Sequence, residues 1–257
     1  MTTTALLSAR SLAMRIGGRS LFSNLSFDVE AGQCWAIVGP NGAGKTSMLN
    51  ALAGFVEADA GEVHYQGRDV RSLSLRERAL IRAVLPQDSY DAFPATVLET
   101  VLVGRHPYLS RFAWERNGDI SLARQALSRF GVARLEQRDV RSLSGGERRR
   151  AALATLLVQD TPLLLLDEPS SHLDVGQQAT ALDVLVGIIK AHSRSLVMVL
   201  HDLHLATRYC DHAIIVGNGA ARAGNASALL TRDALSTLFG RSLAELEHDG
   251  LRAFVPR

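Results

Sequence analysis

Unbroken apolar runs of four to six residues punctuate the chain near 34–38, 163–166, 195–200 and 213–216. Runs this short, with few polar interruptions, predict strands buried on both faces of a covered sheet. Further strands are expected at 6–16, 25–29, 61–65 and 81–85. Helical patterns lie between them: 45–53, stopped by Gly54; from Ser144 to about Gln159; and from Asp174 to about Lys190. Ile120, Ala123, Leu127 and Phe130 fall on one helical face, and Gly131 supplies the stop. Residues 88–160 therefore read as a helical insertion in an alternating α/β chain. A short helix is expected within 226–239, and the remaining tail after 220 receives no assignment. No internal repeat or low-complexity linker is expected.

Chemistry gathers where the apolar runs end. Gly39, Pro40, Asn41, Gly42, Ala43, Gly44, Lys45 and Thr46 fit the phosphate-loop pattern between a strand and a helix. Glycines let backbone N–H groups converge on crowded phosphate oxygens, and the helix that follows adds its positive end. Lys45 is expected at the β- and γ-phosphates, and the Thr46 hydroxyl on Mg²⁺. Asp167 and Glu168 close the 163–166 run, at the strand end where ligands bind in such sheets. Asp167 is expected to hold Mg²⁺ through water, and Glu168 to polarise the attacking water as general base. Ser144, Gly145, Gly146 and Glu147 open a helix with a serine cap and bare N–H groups, a second phosphate-binding surface. One phosphate loop already serves the chain's own nucleotide. The second surface is therefore expected to serve a γ-phosphate held by another copy.

Composition narrows the classes. The chain has 257 residues, is 47% hydrophobic and carries a net charge of only +2. That suits one large or two small lobes with a proper core, and gives no field strong enough for general nucleic-acid binding. The cluster Arg148, Arg149 and Arg150 reads as a solvated or interfacial helix face rather than a DNA site. No apolar run reaches the ~20 residues that span a bilayer, and 5–7 is too short for a signal segment. Two cysteines, Cys34 and Cys210, make no metal or disulfide pattern, as in a reducing cytosol. His201, His204, Cys210, Asp211 and His212 suggest a metal site, but they read better as caps and lining of an apolar helix. His106 reads as a surface histidine and Trp35 as core.

Together these motifs resemble those of the ATP-binding cassette (ABC) ATPases, over nearly the whole chain; the run Leu143 to Glu147 is the most specific element. The resemblance implies an ABC ATPase fold: a RecA-like phosphate-loop core sheet with an antiparallel β subdomain (1–87 and 161–219), a helical subdomain (88–160) and a C-terminal extension (220–257), in one domain. It extends the nucleotide contacts to Ser47. Gln87 looks like the glutamine that contacts Mg²⁺ and water and joins the two lobes. Residues 170–174, ending in Asp174, look like the loop that crosses the dimer interface. His201 looks like the switch histidine on the γ-phosphate. Ile16 falls where relatives stack an aromatic ring on adenine, so weaker or less base-selective nucleotide binding is expected; Phe22 is the lesser substitute.

The segment 93–108, with its Gly104-Arg105 pair, is similar to the ATPases of cobalamin, ferric siderophore and haem importers. The implied function is ATP hydrolysis, with ATP and Mg²⁺, powering import of a cobalamin- or siderophore-type chelate, with haem behind them. Implied partners are a second copy, two transmembrane permease subunits and, indirectly, a periplasmic or lipid-anchored binding protein. The implied location is peripheral, at the cytoplasmic face of the inner membrane. A soluble non-transport ABC ATPase, a non-hydrolysing regulator and an exporter ATPase are the competing readings.

Overall fold

A computed structural model describes residues 5–87, 93–110 and 115–257. The chain opens on β1 (Leu7–Ile16) and β2 (Arg19–Val29), then enters β3 (Cys34–Val38) and α1 (Lys45–Leu52). β4 (Ala60–Tyr65), β5 (Arg68–Asp69), α2 (Leu75–Ile81) and β6 (Arg82–Leu85) follow. Helices α3 (Val97–Leu102), α4 (Asn117–Arg129) and α5 (Gly145–Val158) fill the stretch before β7 (Leu163–Asp167). Alternation resumes with α6 (Val175–His192), β8 (Ser195–Val199), α7 (Leu203–Tyr209), β9 (His212–Gly217) and β10 (Ala220–Asn225). The chain closes with α8 (Ala226–Leu229), α9 (Arg232–Phe239), β11 (Leu243–His248) and β12 (Leu251–Pro256).

The six-stranded sheet runs β10-β9-β3-β8-β7-β6, with β6, β7, β8, β3 and β9 parallel and β10 antiparallel at its edge. Side chains alternate between two apolar layers, as strand geometry requires. Cys34, Ala36, Val38, Leu164, Leu166, Leu196 and Met198 face the helices of the insertion, α6 and α7. Trp35, Ile37, Leu163, Leu165, Val197 and Val199 face α1 and the antiparallel sheet β2-β1-β4-β5. Every residue of β3, β7 and β8 is buried, which is why these strands read as unbroken apolar runs. Because β3, β6, β7 and β8 are parallel, the phosphate loop, Gln87, Asp167-Glu168 and His201 all follow the same edge of the sheet.

The structure corrects several expectations. β2 begins at Arg19 rather than near 25, pairing with β1 through register shifts beside Ser11 and Asn24, both in the left-handed region. The tail after 220 is ordered as β10, two short helices and the β11–β12 hairpin, whose Arg252 is tied to Glu245 at 2.6 Å. A repeat is present after all. Arg-Asp-Val-Arg-Ser-Leu-Ser-x-x-Glu-Arg occurs at 68–78 and again at 138–148. Both copies fold alike: the aspartate caps a single 3₁₀ turn, and the serine caps an α-helix in a reciprocal box with the glutamate. Part of the 88–160 helical range, at 88–92 and 111–114, lies outside the described residues.

Candidate nucleotide site

The loop after β3 is shaped by its glycines at two points. Gly44 sits at φ +95°, and a Cβ there would press on Leu21 at 2.5 Å. A side chain on Gly39 would collide with the Val216 carbonyl of β9. Lys45, buried at the start of α1, folds back so that Nζ donates to the carbonyls of Gly39 (2.8 Å) and Pro40 (3.0 Å). Burial pulls its pKa down, while the charges of Glu168 and Asp167 push it up. Both carboxylates thus lie within electrostatic reach of this ammonium.

Asp167 ends β7 fully inside the protein, 2% exposed. Burial raises its pKa, with the charge of Glu168 adding to the rise, while the neighbouring Thr46 side chain works against it. Its Oδ1 has no hydrogen-bond partner among the described residues. A buried, orphaned carboxylate oxygen beside a hydroxyl is an oxygen-donor set that suits a hard divalent cation. Glu168 follows with φ +48°, a left-handed conformation that is unusual for a side chain of this size. Its Oε1 lies 2.6 Å from His201 Nε2, which enters from the end of β8. Lys45, Thr46, Asp167, Glu168 and His201 are therefore one cluster.

Ser144 caps α5: its Oγ accepts from Glu147 N–H (3.3 Å), and Glu147 Oε2 accepts from Ser144 N–H (3.0 Å). The first turn, Gly145 and Gly146, lies against His172 of the loop after β7. No hydrogen bond among the described residues joins Ser144–Glu147 to the Lys45 cluster. Asp174 caps α6, accepting from Gln177 N–H at 2.8 Å. Gln87 is exposed at the end of β6. Ile16 ends β1 in the open, 55% exposed, whereas Phe22 is wholly buried and offers no face to a base.

The sequence reading missed Arg149. Rather than lying on a solvated face, it is 4% exposed. One terminal nitrogen donates to the carbonyls of Pro86 (2.8 Å) and Gln87 (3.2 Å). The other donates to Asp167 and Glu168 (2.6 Å to the latter), and Nε to Pro169 at 3.4 Å. Its only signal in the sequence was helical spacing: Arg149, Leu153 and Leu156 fall at i, i+4 and i+7 on one buried face of α5. The residues of the suspected metal group have other engagements. Asp211 accepts from Cys34 N–H, His212 stacks on Trp35, Cys210 is buried, and His204 lies 3.6 Å from Asp202. Trp35 is core and His106 is exposed, as expected.

Comparison with known proteins agrees with this geometry. The sequence profile of the family described as ABC transporter matches residues 22–171. A cobalamin import ATP-binding protein BtuD of Halobacterium salinarum is 38% identical over 239 residues, 93% of this chain. The chain spans only 60% of that relative's length. A hemin import ATP-binding protein HmuV of Gloeobacter violaceus is 38% identical, covering 96% of this chain and 91% of the relative. Among solved structures, a putative metal-chelate type ABC transporter in an inward-facing conformation aligns with a TM-score of 0.86 and 26% identity, over 98% of both chains. With the profile spanning more than half its length, and the phosphate loop and paired carboxylates on one sheet edge, the chain belongs to the ABC transporter family.

Proposed function

We propose that this chain is the ATP-hydrolysing subunit of an importer for a metal chelate. Cobalamin or a ferric siderophore is the leading cargo and haem the alternative. The observation that carries the reading is the convergence of Lys45, Thr46, Asp167, Glu168 and His201 at one edge of the sheet, with the Ser144 turn outside that cluster. The relatives named for cobalamin and hemin import support the cargo class. The working unit is a pair of copies facing head to tail, joined to two permease subunits, with a binding protein acting indirectly. No helix among the described residues is long and apolar enough to cross a membrane. In this reading the chain is attached through the permease, at the cytoplasmic face. The core lobe (1–87 and 161–219) holds the nucleotide, and the helical lobe (88–160) passes its motion to the permease.

In this reading Gly39 to Ser47 wrap the phosphates of ATP, and Lys45 exchanges its loop carbonyls for phosphate oxygens. Thr46, Asp167 and Gln87 would hold Mg²⁺, which neutralises charge on the β- and γ-phosphates. Glu168 takes a proton from water as the water oxygen bonds to the γ-phosphorus. The bond to the β–γ bridging oxygen breaks, giving ADP and phosphate. For this, Glu168 Oε1 must exchange His201 for water, and His201 Nε2 is then free to donate to the γ-phosphate. Ser144, Gly145, Gly146 and Glu147 of the other copy close on the same γ-phosphate, with Asp174 at the seam. Two ATPs bind the closed pair better than the open one, and hydrolysis reverses that preference.

Size-exclusion chromatography with ATP tests this. Glu168→Gln should give a long-lived, ATP-dependent dimer with no turnover. Ser144→Arg should stay monomeric with ATP while binding one ATP per copy as the wild type does. Turnover by Glu168→Gln would remove it as the base. Loss of ATP binding by the Ser144→Arg monomer would mean that the second surface acts within its own copy.

A further inference from the structure

A guanidinium carries five N–H donors in a rigid fork. In Arg149 all five are directed at backbone carbonyls, and those carbonyls belong to two different segments of the site. One terminal nitrogen spans Pro86 and Gln87, the exit from β6. The other spans Asp167 and Glu168, the exit from β7, and Nε reaches on to Pro169. The planar fork sets the separation of the two strand exits. It also holds the carbonyl of Glu168, whose φ of +48° persists only where the surroundings enforce it. Ser171 N–H donates to that same carbonyl at 3.0 Å, which makes the turn after Glu168 a defined structure rather than a loose loop.

Arg149 stands on α5, four residues after Gly145 and so one turn along the same helix. A helix moves as a unit over one turn. Any displacement of the Ser144–Gly146 turn therefore reaches the carbonyls at 86–87 and 167–169 through one side chain. We infer that Arg149 is a positioning residue that links the two ATP sites of the pair. When the Ser144 turn of one copy engages the γ-phosphate held by the other copy, Arg149 sets Gln87 and Glu168 of its own copy for hydrolysis. This rests on the reading, given above, that the Ser144 turn acts between copies. Its consequence is that each copy hydrolyses its own ATP efficiently only when the other copy's ATP is in place.

The experiment follows steady-state hydrolysis against ATP concentration for the full chain and for Arg149→Lys and Arg149→Gln. Lysine keeps the charge but cannot fork across two segments, and glutamine can serve only one. The expected wild-type Hill coefficient approaches 2, the number of coupled sites, and falls to about 1 in both variants. Turnover should fall by about ten-fold with half-saturation changed less than about two-fold, the pattern of a lost transition-state arrangement rather than lost binding. Arg82→Lys is the control. Arg82 is equally buried but donates to the Ala53 carbonyl, away from the site, so its variant should lose stability without changing the Hill coefficient. If glutamine unfolds the chain, the lysine variant carries the test, with melting temperature measured alongside. A wild-type Hill coefficient and turnover in Arg149→Lys would overturn the inference, as would an equal kinetic loss in Arg82→Lys. The dimer formed by Glu168→Gln with ATP separates the two failures. If that dimer never forms, the reading between copies fails and the link fails with it. If it forms while Arg149→Lys behaves as wild type, the link alone fails.

Discussion

Asp167 illustrates how a single residue can be costly to the fold while holding, in the proposed function, a place in the chemistry. Its carboxylate is buried and its pKa lies above the ordinary value, chiefly because burial disfavours the charged form. The folded state therefore holds its proton to higher pH than the unfolded state does. In the window above the ordinary carboxylate value, folding binds a proton, so this residue's contribution to stability falls as pH rises. At neutral pH its charge is a burden that a bound cation relieves. Asp167→Asn should accordingly raise the melting temperature, by roughly 2–4 °C in a chain of this size, while abolishing turnover. Thermal scans should also show the wild type, but not the variant, gaining stability with Mg²⁺ and ATP together. An Asn variant that melts below the wild type would mean that the favourable neighbours of the carboxylate, Arg149 and His201 among them, outweigh the burial cost.

Ile16 belongs to the same scale. It is exposed at the end of β1, and an aliphatic side chain covers a base without the directional preference of a ring. ATP and GTP should therefore be hydrolysed with similar half-saturation. Ile16→Tyr should tighten ATP by about two- to ten-fold, the range that an aromatic stacking contact supplies. Unchanged affinity in that variant would place the base elsewhere.

At the scale of elements, the repeat at 68–78 and 138–148 provides a control that the protein itself carries. Two identical cap arrangements start α2 and α5, so local structure cannot distinguish them. They differ at the x-x positions: Leu75-Arg76 in one copy, Gly145-Gly146 in the other. Leu75 and Arg76 cover the turn with side chains, and Arg76 Nε donates to the Pro107 carbonyl at 2.9 Å. The two glycines leave the turn of α5 open to a ligand. Ser74→Ala and Ser144→Ala should each cost about 1 kcal/mol of stability by chemical denaturation, the usual value of an N-cap. Only Ser144→Ala should also lose ATP-dependent pairing. Equal loss of pairing in both would make the serine a structural cap and nothing more.

At the scale of the whole molecule, the cargo under the proposed function is decided outside this chain, because the nucleotide site is built from groups suited to phosphate and a cation. Cells lacking the chain, offered labelled cobalamin, ferric siderophore and haem in parallel, should lose uptake of one of them. Wild type should restore it and Glu168→Gln should not. Intact uptake of all three would turn attention to another cargo or to a non-transport ATPase.

The sequence alone determined what depends on short-range order. The buried strands, the phosphate loop, the Asp167-Glu168 pair and the capped Ser144 helix are all set by neighbours within a few residues. So is the spacing of Ile120, Ala123, Leu127 and Phe130 along α4 and its cap: the last three are buried and Ile120 is half-buried. The tail escaped because neither strand of the β11–β12 hairpin alternates cleanly and β11 is mostly exposed, so no buried face marks it in the sequence. Only the tertiary structure decided the rest. Arg149 sits between Arg148 and Arg150 in a run that reads as charged surface, and a charged residue is buried only where partners wait for it. Those partners are carbonyls at the ends of β6 and β7, some sixty and twenty residues distant. Nothing local to position 149 encodes them. The same holds for Glu168, whose left-handed backbone and contact with His201 exist because parallel strands end at a common edge. Residue type follows from sequence, but the meeting of distant strand ends is a property of the packed sheet.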